Sequence, residues 1–573
     1  MSARGDRSGA PRWAASTVYQ IYPRSFADSN GDGFGDLRGI LGRVDYLARL
    51  GVDVLWLSPI FPSPDADNGY DISDYEAIDP RYGSLDDFDE LLTTLHARGM
   101  KLILDLVVNH TSDEHAWFAE SRSSRSDAKR DWYFWRPARP GATPGEPGAE
   151  PNNWGSFFSG PAWRFDPATG EYYLHVFSSK QPDLNWENAD VRAAIYAMMR
   201  GWLDRGVDGF RMDVINMISK DPELPDGPMI GGMRYGIGVP HFVGGPRLYD
   251  HLAEMRREVF ARYDRALLTV GETPLVTVEQ ARRFADPEQG GLDMVFSFEH
   301  VMADYGASKF DLRPLDLRKL KAIFTRWQEG LADAGWNSLY WDNHDQPRAV
   351  SRFGDDGVHR VRSAKLLATA LHLQRGTPFV YQGEEFGMTN VRFSALGDLR
   401  DVESLRFADE AIAASAGLEA VLGQLSASSR DNARTPMQWD DSPNAGFSPG
   451  QPWISVNPNY VEINAAAAEA DSDSVFHHYR RLVALRRSDP VVAHGAYHEL
   501  LPDDERVFAF TRTLGEQALL VLCNFSGAEA LAPVVGANDW ATAAVSLSNY
   551  AEVPLVEAGA FRLRPWEAVA LRR

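Results

Sequence analysis

The chain has 573 residues, 44 % apolar and 24 % charged, with 16 Trp, 20 Tyr, one cysteine and a formal net charge of −22. That length calls for about two to four domains, and the charge excludes a polyanion binder such as a nucleic-acid protein and speaks against an anionic membrane surface. One cysteine allows no internal disulfide; Cys523, in the apolar run ALLVLCNFS, is expected to be a buried thiol.

The N-terminal MSARGDRSGAPRWAAS has no apolar segment of the kind a secretory leader needs, and no stretch approaches the roughly 18 apolar residues of a membrane span. A cytoplasmic protein is expected. The first strand-like run is TVYQIYPRSF (17–26), followed by VDVLWLSPI (52–60) and KLILDLVVNH (101–110). After a gap come GFRMDVI (209–215), LLTVGET (267–273), MVFSFEH (294–300), NSLYWDNHD (337–345) and PFVYQGEEFG (378–387). Helical patterns lie between them, among them DFDELLTTLHARG (87–99) and DVRAAIYAMMRGWLDRG (190–206). Strand–helix alternation with apolar strands implies a parallel sheet covered on both faces. Eight such units point to a (β/α)8 TIM barrel, an α/β fold, over 1–110 and 185–490. An open doubly wound sheet is the rival, and no early GxGxxG favours it.

Two connections are too long for simple units. Residues 111–184, rich in Gly, Pro, Trp and Phe, are expected to form an inserted domain after strand 3, and 388–460 a long excursion after strand 8. A helix over SVFHHYRRLVALRRSDP (474–490) precedes short alternating runs, so 491–573 reads as a C-terminal antiparallel β domain.

Working groups of such a barrel sit at the C-terminal ends of its strands. The runs end on Asn109 and His110, on Asp213, on Glu272, and on His344 and Asp345. Three carboxylates converging on one mouth, with no Cys/His metal cluster, suit acid/base chemistry on a polar substrate, as in glycoside cleavage. Arg211 and Asp213, two apart on one strand, share a face. Glu272, in VGETP, has no charged neighbour in sequence. That asymmetry assigns Asp213 as an ionised nucleophile and Glu272 as the general acid/base.

DLVVNH, GFRMDVIN, GETP and NHDQPR, in this order, resemble the four signature regions of the α-amylase superfamily, glycoside hydrolase family 13. QPDLN (181–185) resembles the fifth region of its oligo-1,6-glucosidases. The resemblance implies a retaining double displacement with Asp213, Glu272 and Asp345 as the catalytic carboxylates. It implies that Asp345, His110 and His344 bind the same sugar ring and that Arg211 holds the nucleophile. Asp67 and Tyr70, in DNGYDISDY, match the innermost pocket, with Tyr70 stacking under the terminal glucose. Asp67 is expected to pair with an arginine of RDNARTPMQWD, Arg434 first and Arg430 second, which closes the pocket and makes the enzyme exo-acting. Phe158, Phe177 and Gln181 would line the site from the inserted domain.

DSNGDGFGD (28–36) offers oxygen donors from Asp28, Asn30, Asp32 and Asp36 and the carbonyl of Phe34. Position 12 of this loop is Gly39, so it is no EF-hand. Similarity to related α-glucosidases implies one structural Ca2+ or Mg2+; an Asx-rich turn without metal is the alternative. Val214, directly after Asp213, accompanies α-1,6 action in related enzymes, where Ala or Thr accompanies α-1,4 selectivity; plain strand filler is the other reading. The expected substrate is a short α-1,6-glucoside (isomaltose, panose, isomaltooligosaccharides), with glucosyl transfer as a side reaction and a monomer or weak homo-oligomer as the working form. Alternatives are an α-1,4-preferring or broad α-glucosidase and a glucosyl mutase of the trehalose synthase kind. RAVSRFGDDG lacks the Arg-rich loop of sucrose isomerases. An inactive barrel homologue acting as a binding or chaperone subunit is the non-enzyme alternative; such chains lose carboxylates that this one keeps.

Overall fold

The computed structural model describes residues 12–573; most of the N-terminal stretch MSARGDRSGAPRWAAS lies outside the described residues. Eight strands form the central sheet: β1 (Val18–Ile21), β2 (Val54–Leu57), β3 (Lys101–Val107), β4 (Gly209–Asp213), β5 (Leu268–Glu272), β6 (Met294–Phe296), β7 (Ser338–Leu339) and β8 (Thr377–Tyr381). Every neighbouring pair is parallel, and β8 returns to pair with β1. A single parallel bridge, Val295 to Asn337, joins β6 to β7 and closes the barrel. Strand β7 is shorter than its apolar run suggests. The Tyr340 carbonyl, just past the strand, accepts from His300 Nε2 at 2.7 Å, so a side chain takes a backbone group that a ladder would otherwise use.

The helix over 85–97 starts at a reciprocal cap between Ser84 and Asp87, two residues before its apolar pattern begins. The helix Ala189–Arg205 is capped by Asn188 and stopped by Gly206 in the left-handed region. In β4, Gly209 has φ of +146°, and a Cβ there would lie 1.9 Å from the Leu268 carbonyl oxygen; only glycine lets β4 and β5 approach so closely.

Between β3 and β4 a small antiparallel sheet joins Trp135–Arg136, Glu171–Leu174 and Trp163–Asp166. Its core (Trp154, Trp163, Leu174, Val176) also takes in Val214 and Met217 from the loop after β4, which fixes the insert against the barrel mouth. After β8, the helices Val402–Ala413 and Leu418–Ser428 pack over Phe310, Phe393 and Leu399.

The C-terminal part holds a five-stranded and a three-stranded antiparallel sheet. The strands Val507–Leu514 and Gln517–Asn524 alternate. Val507, Ala509, Leu520 and Leu522 face the second sheet, while Phe508, Phe510, Val521 and Cys523 face the barrel. Cys523 is fully buried, and burial pushes its thiol well up.

Candidate active site

The site is built around one guanidinium. Arg211, 1 % exposed, projects inward from β4. Its Nη1 donates to Asp105 Oδ1 of β3 at 2.8 Å and to Asp213 Oδ1 at 2.7 Å, and its Nη2 lies 2.8 Å from Glu272 Oε2 at the end of β5. The register puts Asp105 beside Arg211 and Val107 beside Asp213. Three buried carboxylates against one cation would leave two uncompensated negative charges if all were ionised, which burial penalises heavily. Burial and then the Glu272 carboxylate push Asp213 well above the usual carboxylate range, with Arg211 opposing them. Asp105 is pushed up to about 6 by burial, again against Arg211. Asp213 and Glu272 meet across this one cation, and each carboxylate makes a negative charge on the other more costly.

The sequence expectation that Glu272 stands apart from charge is corrected here: Arg211 touches it as closely as it touches Asp213. Adjacency along one strand cannot show a partner that arrives from the next. Glu272 Oε2 also accepts from the Val214 N–H at 3.1 Å. Val214 presents that N–H from the left-handed region, φ +36°, an unusual conformation for a β-branched residue.

A cavity of about 240 Å3 opens above these groups. Asp213, Val214 and Glu272 line one side, and Asp67, Tyr70, His110 and Asp345 line the inner end. Phe158 and Phe177 enter from the insert with their rings 5.7 Å apart. Arg211, His344, Gln181 and Arg434 sit behind these walls and hold them. The Tyr70 hydroxyl donates to Asp105 Oδ2 at 2.9 Å, and its ring stacks on His344 at 5.1 Å with 7° between planes. Gln20 Nε2 meets His344 Nδ1 at 2.8 Å, which leaves the histidine proton on Nε2, 3.2 Å from Asp345 Oδ2. Burial lowers His344 to about 3 and His110 to about 4, so both are neutral at physiological pH. His110 Nε2 contacts the Tyr70 carbonyl at 3.1 Å, and Gln181 Nε2 donates to Asp67 Oδ2 at 3.2 Å.

The arginine that faces Asp67 is Arg430, at 3.3 Å, and not Arg434. Arg434 is turned to Asp345 Oδ1 at 2.9 Å and to the His344 carbonyl. Both arginines belong to the turn 430–434 and meet at Asp345 Oδ1, and of the two Arg430 is the one that also reaches Asp67. Burial opposes charge on Asp345, but His344, Arg430 and Arg434 outweigh it and hold the carboxyl well below its usual range. Asp67 is pushed up to about 6 by burial, with Arg430 and Arg434 opposing.

In the loop 28–36, Asp28 accepts from the N–H groups of Asn30, Gly31 and Gly33 at 2.7–2.9 Å and from Ser448 Oγ at 2.5 Å. Asn30 and Asp32 cap the N–H groups of Asp32 and Phe34, and Asp36 caps the helix Leu37–Gly42 through Gly39. Among the described residues no three His, Cys, Asp or Glu side chains converge as a metal-binding group.

Residues 20–495 match the family model "Alpha amylase, catalytic domain". The chain is 54 % identical to an oligo-1,6-glucosidase of Parageobacillus thermoglucosidasius, over 97 % of this chain and 98 % of that one. It is 47 % identical to a trehalose-6-phosphate hydrolase of Bacillus subtilis, covering 98 % of each. The chain belongs to the α-amylase family. Among solved structures of this family, a mutant Bacillus licheniformis trehalose-6-phosphate hydrolase superposes with a TM-score of 0.93 at 46 % identity, covering 98 % of this chain and 99 % of that one. A trehalulose synthase mutant superposes at 0.91 with 41 % identity, over 98 % of this chain and 100 % of that one.

Several residues of this α-amylase-family site escaped sequence reasoning. Asp105 carried a signal, a lone carboxylate inside the apolar run KLILDLVV. Asp401, fully buried and bonded to Arg430 Nε at 2.9 Å, and the Lys309–Glu403 ion pair at the cavity mouth come from segments with no motif. Phe157, adjacent to Phe158, lines the same cavity.

Proposed function

We propose that this protein is an exo-acting, retaining α-glucosidase that removes single glucose units from short α-1,6-linked glucosides. One observation carries the reading: carboxylates from two strand ends, Asp213 and Glu272, share Arg211 at the base of a cavity whose inner end is closed by Asp67 and Arg430. A dead-ended cavity admits one terminal sugar and sends the rest of the substrate out through the mouth.

The reaction follows from the charges. A retaining mechanism needs one carboxylate, the part given to Asp213, and one acid, the part given to Glu272. A sugar entering between them separates the two groups. The ionised Asp213, held by Arg211, attacks C1. Glu272 gives its proton to the departing oxygen and then takes one from water, which hydrolyses the glucosyl ester. Asp345, kept ionised by its two arginines, accepts the hydroxyls of the ring, and neutral His110 and His344 hydrogen-bond beside it. Tyr70, fixed by Asp105 and the His344 ring, is the stacking platform.

The α-1,6 preference is supported by Val214 at the cavity wall and by the names of several relatives, including those of Parageobacillus thermoglucosidasius and Bacillus cereus. A methyl-sized wall element shifts selectivity by about 1–3 kcal/mol, a preference and not a bar. A phosphorylated substrate, as in the relatives called trehalose-6-phosphate hydrolase, is less well supported. Lys309 and Arg430, lysine and arginine of the cavity lining, are both paired with carboxylates. The test is kcat/KM on isomaltose, maltose, trehalose and trehalose 6-phosphate. The expected order has isomaltose first, and a leading trehalose 6-phosphate would overturn the reading.

The loop 28–36 would hold one structural Ca2+ or Mg2+ through Asp28, Asn30, Asp32, Asp36 and the Phe34 carbonyl. The donors are all hard oxygens, as such ions require, and left-handed Gly31 and Gly33 wind them into one turn. The set depends on an amide and a carbonyl as well as carboxylates. The ion would stiffen the loop and take no part in the chemistry. The working form in this reading is a cytoplasmic monomer or weak homo-oligomer, and its single cysteine, buried and unpaired, suits a reducing compartment. Among the described residues no helix is long and apolar enough to cross a membrane.

A further inference from the structure

Lys220 is a buried lysine that the proposed reaction does not use and that does not line the cavity. It follows the turn Ile215–Met217 at the end of β4. Its Nζ donates to Asn109 Oδ1 at 2.6 Å and lies 2.7 Å from Asp183 Oδ2. It therefore ties the loop after β4 to the segment after β3 and to QPDLN at the end of the insert. Asn109 and Asp183 are fully buried as well. Pairing with Asp183 accounts for the buried charge. The bond to Asn109 has a further consequence.

An ammonium only donates, so the Asn109 atom that faces Lys220 is the carbonyl oxygen. The amide NH2 then points the other way, 3.2 Å from His110 Nδ1 and 3.4 Å from Asp183 Oδ2. An NH2 cannot accept, so Nδ1 is the acceptor and the neutral ring carries its proton on Nε2. Nε2 lies 3.1 Å from the Tyr70 carbonyl, which takes that hydrogen bond. With the proton on Nδ1, that N–H would meet the Asn109 amide hydrogens, and the Nε2 lone pair would oppose the Tyr70 carbonyl. Gln181 Nε2 also lies 3.1 Å from His110 Nε2, but it has acceptors in Asp67 Oδ2 at 3.2 Å and the Tyr70 carbonyl at 3.3 Å. The histidine therefore keeps its proton. His110 and Tyr70 both line the inner end of the cavity.

We propose that Lys220 fixes, through Asn109, the tautomer of His110 in which Nε2 donates, and so acts as a positioning residue for the sugar-binding wall of His110 and Tyr70. The effect on sugar binding rests on the glucosidase reading above; the tautomer does not.

The test reads the tautomer from the ring-nitrogen NMR signals of His110 in 15N-histidine-labelled protein, assigned by their loss in His110→Gln. The wild type should carry the proton on Nε2. The variant Lys220→Met with Asp183→Asn removes the buried ion pair as a unit. Asp183 Oδ1 accepts from the Val176 N–H, so an asparagine there would turn its NH2 toward Asn109. The Asn109 amide should then turn over and draw the His110 proton to Nδ1. The same variant should lose about ten-fold in kcat/KM on isomaltose, roughly one hydrogen bond's worth. In a His110→Gln background it should cost less than two-fold more, because Lys220 acts through that histidine. A wild-type proton on Nδ1 would overturn the proposal, and this reading stands even if the double variant fails to fold. An unmoved tautomer in the double variant, or a ten-fold loss that persists in the His110→Gln background, would also overturn it and leave Lys220 as a structural ion pair. A wild type that shows the Nε2 proton but cleaves no α-glucoside would overturn the glucosidase reading and leave the tautomer assignment in place.

Discussion

Replacing Arg211 by Met removes the one cation that faces Asp105, Asp213 and Glu272. For charges about 4 Å apart at an effective dielectric of about 20, each carboxylate loses about 4 kcal/mol of stabilisation of its charged form. That is about three pKa units. The sign is fixed: a guanidinium favours the carboxylate, so its loss raises the pKa of the nucleophile. Asp213, already pushed up by burial and by Glu272, would be pushed further in the same direction. We expect kcat/KM at neutral pH to fall by about 1000-fold, and the acidic limb of the pH–rate profile to move up by about two units or more. The assay is the pH dependence of kcat/KM on a purified variant whose circular dichroism and cooperative melting are intact. The double variant Asp105→Asn with Arg211→Met removes one of the stranded carboxylates and should recover stability. A large rate loss with an unmoved acidic limb would show that Arg211 acts by geometry alone and would refute the electrostatic reasoning.

Other outcomes follow from the same contacts. Burial keeps His110 neutral above about pH 4, so His110→Gln should lower kcat/KM by about 10- to 100-fold while leaving both limbs of the profile between pH 5 and 8 in place; a shifted limb would contradict a neutral histidine. Val214→Ala should move the isomaltose-to-maltose ratio of kcat/KM toward maltose by about ten-fold, and an unchanged ratio removes Val214 from specificity. Chelation should lower Tm by several degrees, with about one equivalent of Ca2+ or Mg2+ found by elemental analysis of the untreated protein; an unaffected Tm with no bound metal would leave the loop 28–36 as a plain turn. Arg430→Ala should weaken glucose binding more than Arg434→Lys, since Arg430 alone of the two contacts Asp67 within 3.3 Å; equal losses would contradict that pairing.

The sequence carried the barrel because parallel strands buried on both faces read as apolar runs, and their polar endings marked the mouth. Asp213, Glu272 and Asp345 were legible for that reason, and the structure brings all three to one cavity. What failed was anything decided between strands. Glu272 looked isolated because its cation comes from β4. Arg430 and Arg434 lie four residues apart in one motif, and only the turn that carries them decides which one meets Asp67. Lys309 and Glu403, 94 residues apart, form a pair that no local pattern encodes. The β7 run overstated its strand because the His300 side chain, from another segment, takes the Tyr340 carbonyl. Val214 was legible as a residue type; its left-handed backbone, which aims an N–H at Glu272, was not, because nothing in GFRMDVIN requires it.

The most direct measurement is a proton NMR time course of isomaltotriose hydrolysis by the wild-type protein. An exo-acting, retaining α-1,6-glucosidase releases α-glucose and isomaltose first, with β-glucose appearing only at the rate of mutarotation. Initial release of β-glucose, or cleavage of maltotriose with isomaltotriose untouched, would contradict the assignment.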